Sequence, residues 1–172
     1  MKNGVRKMKS KNDFKFCTID SSTKKTGMAL FINGKYQNHL LIDVSNEGDT
    51  SKRCESMGVE ICKVLDTWKP DAIYIEHPQG HGRNVDMVFK LTLIIGVVFG
   101  WAIHHNCFFK DITPSEWRKL VGIKQGQRKR AELKADSIKL ADEVFGIICN
   151  DDVADALAMG YGVIKYYEKK EN

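Results

Sequence analysis

Apolar and polar residues alternate along this chain in two periods, and each change of period marks an element. The run Lys15-Phe-Cys-Thr-Ile-Asp20 reads as a buried strand that ends on an acid, and Gly27 opens a second apolar run over 27–33. Asn33-Gly34 is a two-residue hairpin signal and predicts a third antiparallel strand over 36–44. After a polar loop at 45–50, Met57, Val59, Ile61, Val64, Leu65 and Trp68 recur at helical spacing, predicting a helix over 51–68 with Pro70 just beyond it. Asp71 to Pro78 is a fourth strand, β-branched and again carrying an acid, Glu76, at its end.

A flexible loop at 79–83 leads into a long helix over 84–105, apolar on nearly all sides. Gly96 and Gly100 are four residues apart on one of its faces, which suits either packing against its own sheet or a homodimer seam. Residues 107–112 are a short fifth strand. Thr113-Pro114-Ser115-Glu116 has capping-box spacing and starts a short helix ending near Gly122. A basic loop (123–130) precedes a helix over 129–144. Asn150-Asp151-Asp152 then caps a last helix, 152–168, whose apolar positions include Ala156, Leu157, Met159, Val163 and Ile164. The order is that of one α/β domain with a mixed sheet, an antiparallel hairpin side followed by parallel strands joined by helices.

Composition narrows the class. The chain has 172 residues, 42% hydrophobic and 28% charged, enough for one domain (15–168) with a core. A formal charge of +5 suits an anionic partner such as nucleic acid. The five cysteines form no C-x-x-C pair and read as buried reduced thiols, with no tight Cys/His set to hold zinc. Residues 1–14 form a basic flexible tail (Lys2, Arg6, Lys7, Lys9, Lys11), a solvated arm or a phosphate-contacting one, and no apolar stretch follows as in a signal peptide. The apolar run Leu91–Ile103 spans 13 residues, too short for a bilayer, and reads as a buried helix. A soluble, cytoplasmic protein with no membrane partner is expected.

The candidate chemistry lies in the acids. Asp20 and Glu76 end the first and fourth strands, which a crossover through helix 51–68 makes adjacent and parallel, so their carboxyl ends lie side by side where α/β folds place their sites. Asp152 and Asp155, three apart at the start of the last helix, face the same way. Each acid alone suits a turn or a cap. Together, converging carboxylates repel unless a cation sits among them, and oxygen-only ligands select Mg²⁺ or Mn²⁺. Such ions suit phosphodiester hydrolysis.

These stretches resemble the RuvC-type Holliday junction resolvases of the RNase H-like superfamily. Thr18-Ile-Asp20-Ser-Ser with Thr26-Gly27 is similar to their opening motif, and Tyr74-Ile-Glu76-His-Pro to their second. Gly82-Arg-Asn84-Val through Lys90-Leu, Gly96 and Gly100 resembles the helix after it, and Asp152-Val-Ala-Asp155-Ala-Leu-Ala their closing D-x-x-D motif. The resemblance covers about residues 14–165. It implies an RNase H-like fold with a five-stranded mixed sheet flanked by helices, and a homodimer formed through helix 84–105. It also implies Mg²⁺-dependent paired nicking of four-way or otherwise branched DNA, with Mn²⁺ able to substitute. Asp20, Glu76, Asp152 and Asp155 are the implied metal ligands, with Asp151 a rival to Asp152. Ser21-Ser22 in place of the bacterial Pro-Gly, and a 79–83 loop without a large aromatic, look more like the divergent resolvases of phages or other viruses. Arg83 or His81 would then serve at the junction.

Residues 118–134 hold Arg118, Lys119, Lys124, Arg128, Lys129, Arg130 and Lys134, either a solvated face or a DNA track. The resemblance puts lysines of this region near the scissile phosphate and favours Lys119 with one of Lys124, Arg128 or Lys129. Phosphate contacts of this kind position DNA without reading bases. His77 is a strand-end residue or a proton shuttle. Two other functions compete: an RNase H-like nuclease acting on structured RNA, and a noncatalytic branched-DNA binding module.

Overall fold

The structure, a computed structural model, describes residues 13–78 and 85–171. Five strands, β1 (Lys15–Asp20), β2 (Lys25–Ile32), β3 (Lys35–Asp43), β4 (Ala72–Glu76) and β5 (Phe108–Ile112), form one sheet in the order β3-β2-β1-β4-β5. β1–β2 and β2–β3 pair antiparallel, and β1–β4 and β4–β5 pair parallel. The hairpin between β2 and β3 turns on Asn33 (φ 51°) and Gly34 (φ 74°), both left-handed, as a two-residue turn between right-twisted strands requires.

β2 begins earlier than its apolar run. The Ser22 hydroxyl accepts from the Lys24 and Lys25 amides (3.2 and 2.9 Å) and donates to the Lys25 carbonyl (2.5 Å), closing a tight turn. Lys25 and Thr26 are thereby freed to join the ladder. Gly27 consequently sits inside the strand, directly opposite Asp20.

The pleat divides the sheet's side chains between two layers. Phe16, Thr18, Tyr74 and Phe31 face α3 (Pro114–Leu120), α4 (Arg130–Phe145) and α5 (Asp151–Glu171). Cys17, Ile19, Ile73 and Ile75 face α1 (Thr50–Trp68) and α2 (Val85–His104). α5 packs closely on the sheet. A Cβ on Gly160 would lie 2.1 Å from the Phe31 ring, and the Thr18 hydroxyl donates to the Ala156 carbonyl at 2.7 Å. α3 carries the expected capping box: the Glu116 amide bonds the Thr113 hydroxyl (3.3 Å), and Glu116 Oε2 accepts from the Thr113 amide (2.8 Å).

α2 corrects the reading of a buried helix. It runs 20 residues, longer than the 13-residue apolar run, and is long and apolar enough to cross a membrane by length and composition. Its place is nonetheless that of a crossover: it joins β4 to β5, which pair in parallel within one sheet, and it lays one face on α1. Only Ile94, Val98 and Ala102 are buried, while Phe89, Leu93, Phe99 and Ile103 are exposed. A helix on one side of a sheet buries a stripe, and apolar composition all round does not supply a second partner.

Candidate active site

Strand register brings the first two acids together. Ile19 of β1 is the partner of Ile75 in β4, so Asp20 and Glu76 end neighbouring parallel strands, about 4.8 Å apart across the ladder. Both lie on the face that Thr18 and Tyr74 share, the one covered by α5. The start of α5 is fixed by Asn150, whose side-chain carbonyl accepts from the Val153 amide at 3.2 Å. Gly27 allows that start to lie against β2, because a Cβ there would sit 2.0 Å from the Asp152 carbonyl oxygen. Asp152 and Asp155 thus reach the end of β1 from above, within the positive end of their helix.

The electrostatics show four carboxylates crowded in a poorly solvated place. Burial pushes Asp20 well above the ordinary carboxylate range, and Glu76, Asp155 and Asp152 push it further while Lys134 opposes. Glu76 is raised to about 7, first by burial; the Trp117 indole bond opposes, Asp155 adds to the rise, and Arg118 and Arg130 counter it. Asp155 and Asp152 are also raised by burial, with Arg118 and Lys134 lowering the former and Lys134, Lys25 and Arg130 the latter. Asp151 is paired with Lys134.

Residues of α3 and α4 close the site. Trp117, fully buried, donates its Nε1–H to Glu76 Oε2 at 2.9 Å. Arg118 stacks on that indole (4.7 Å to the ring centroid) and brings a guanidinium nitrogen to 4.0 Å from Asp155. The buried Ser137 hydroxyl lowers the Asp155 carboxyl. Among the basic candidates, Lys119, Lys124 and Lys129 are exposed, and Arg128 is held by Asp136 and the Lys124 carbonyl. Arg130 is exposed but acts on Glu76 and Asp152. Arg83 and His81 lie outside the described residues. His77 bonds Asp111 Oδ2 through Nδ1 at 2.6 Å, and its amide donates to the Ile112 carbonyl, a strand-end arrangement.

Arg118, Lys134 and Trp117 therefore stand closer to the acids than the lysines favoured from sequence. The signal was available in α4: Arg130, Lys134, Ser137 and Ala141 fall at helical spacing, and the first three all act on the acids.

Among the described residues, no three or more carboxylate, imidazole or thiolate side chains converge closely enough to hold a cation. The donor chemistry nevertheless fits one. Asp155 Oδ1 is buried with no hydrogen-bond partner, and the four neighbouring carboxyls are all raised, a condition that a divalent cation reverses.

A mixed five-stranded sheet with acids at adjacent strand ends and on the covering helix defines an RNase H-like α/β protein. The family model described as Crossover junction endodeoxyribonuclease RuvC matches residues 17–163, and the chain belongs to that family. The fold is similar to that of Thermus thermophilus RuvC in complex with Holliday junction substrate, with TM-score 0.70, 15% identity, and coverage of 91% of this chain and 96% of that one. A second Thermus thermophilus RuvC structure gives TM-score 0.69 at 17% identity, covering 91% and 97%. The yeast mitochondrial Holliday junction resolvase Ydc2 gives 0.61 at 11% identity, covering 91% and 80%. No curated protein sequence matches.

Proposed function

We propose that this chain resolves four-way DNA junctions by metal-dependent, paired nicking, with Asp20, Glu76, Asp152 and Asp155 as the ligands of Mg²⁺, for which Mn²⁺ substitutes. Membership of the crossover junction endodeoxyribonuclease family supports the reaction class. The observation that carries the residue assignment is the mutual influence of two strand-end acids and two acids of α5, with Glu76, Asp155 and Asp152 all raising Asp20 and Lys134 opposing them. Asp152 is preferred to Asp151 because it acts on Asp20, whereas Asp151 is engaged by Lys134.

Nucleases of this family depend on divalent metal. Bound among these acids, the cation would activate a water and stabilise the leaving oxygen. Arg118 and Lys134, at the edge of the acids, offset the phosphate's charge as DNA approaches. Lys119, Lys124, Lys129 and Arg130, all exposed, extend that rim into a backbone-binding track.

Paired nicks on symmetric strands call for two centres, and α2 offers the seam for a homodimer. Phe89, Leu93, Gly96, Gly100 and Ile103 are exposed at alternating four- and three-residue spacing. A Cβ on either glycine meets nothing within 4 Å, so both are open to close approach by a second helix.

The test is nicking of a labelled four-way junction beside a linear duplex, a flap and a structured RNA, in Mg²⁺, Mn²⁺ and EDTA, with Asp20→Asn as control. Metal-dependent paired nicks confined to the junction and lost in the variant establish the reading. Cutting of RNA alone, or junction binding without cutting, refutes it.

A further inference from the structure

We propose that Trp117 is a positioning residue for the metal centre: its indole N–H holds one oxygen of Glu76 so that the other faces the cation. The inference rests on the four-acid reading above. Trp117 is fully buried and its Nε1–H···Oε2 contact is 2.9 Å, so the bond is neither screened nor replaced by water. An indole nitrogen is a donor only, so it can occupy an acceptor of Glu76 but never compete with that carboxylate for a cation.

The same ring orders a second ligand. Arg118 lies over the indole at 4.7 Å and reaches Asp155 at 4.0 Å, while its Nε is buried without a partner. One indole therefore fixes Glu76 through its edge and steadies the neighbour of Asp155 through its face. The base on which it stands is rigid. Trp117 is in the middle of the short α3, anchored by the Thr113–Glu116 capping box and packed on α5, where a Cβ on Gly162 would lie 3.3 Å from the Trp117 carbonyl. Outer-shell donors of this kind orient a ligand that would otherwise sample several rotamers, and the free energy lost on ordering it is then spent in folding rather than in cation uptake.

The sequence context makes the role specific to the edge of the ring. Volume alone is satisfied by any large aromatic residue at this position, and stacking with a guanidinium is available to Phe as well. Only the N–H distinguishes Trp. Trp117→Phe thus removes the donor and keeps a ring, and the benzothienylalanine isostere at 117 exchanges N–H for sulfur at nearly equal volume.

The experiment is calorimetric titration of Mn²⁺ into the full chain, its Trp117→Phe variant, the isostere and Glu76→Gln, each with its thermal midpoint and its affinity for a four-way junction in EDTA. Both Trp replacements are expected to weaken Mn²⁺ uptake by about 10-fold or more while junction affinity is unchanged. The isostere, at nearly native volume, separates loss of the donor from loss of packing. Native Mn²⁺ affinity in the isostere, with Glu76→Gln impaired, overturns the positioning role and leaves the four-acid reading intact. Native uptake in Glu76→Gln, or no uptake by the full chain, overturns both.

Discussion

Asp20 and Glu76 are each held in a place that disfavours its charge. Replacing Asp20 with Asn removes one repelling carboxylate from a cluster of four. Junction nicking should fall to background while the metal-free thermal midpoint rises by about 2–4 °C, the shift that ~1 kcal/mol produces in a domain of this size. Glu76 sets a pH dependence of stability. Its carboxyl titrates near 4.5 when unperturbed and at about 7 in the folded protein, so between those values the folded state binds the proton more tightly than the unfolded chain. Stability of the metal-free protein should therefore fall as pH rises from about 4.5 to about 7, with the raised Asp20, Asp152 and Asp155 adding a fall of the same sign. Thermal melts across that range check it, and Glu76→Gln should make the fall shallower. Both acids were legible in the sequence, since a strand ending on an acid is a local pattern. Trp117 was not, because the partner of its N–H is 41 positions away and no spacing rule connects them.

The elements show where periodicity informs and where it stops. The Asn33-Gly34 hairpin, the Thr113 capping box and the crossover through α1 all follow from short-range signals, and the sheet order follows from them in turn. The burial of α2 does not. Its composition is apolar on every side, but a sheet layer already shared with α1 can cover only one stripe. The exposed stripe leads to a prediction: Leu93→Glu with Ile103→Glu should convert a sedimenting dimer to a monomer and replace paired nicks with single ones, without unfolding the chain. Gly27 makes a different demand. Its role depends on α5 pressing on β2, a contact between residues 27 and 152 that no local pattern announces. Gly27→Ala should cost about 1–3 kcal/mol and displace the start of α5, read as a lowered thermal midpoint together with weaker Mn²⁺ uptake.

At the scale of the whole molecule, charge is unevenly distributed. Residues 1–12 contain five basic and no acidic residues, equal to the entire net charge of +5, so the remainder is balanced overall and its cationic rim is a local feature. Junction affinity should fall steeply with salt, and Lys124→Ala with Lys129→Ala should reduce the slope by about 2 while weakening binding equally for all junction sequences. A filter-binding series across salt concentrations measures this. The sheet edge also governs when the centre comes into being. β1 and β4 supply one carboxylate each and α5 supplies two, so a polypeptide interrupted between the end of β5 at residue 112 and the start of α5 at residue 151 retains all five strands and only half of the acids. On the proposed four-acid reading, a ribosome that has made the sheet has not yet made the centre: α5 must be translated before all four carboxylates exist in one chain.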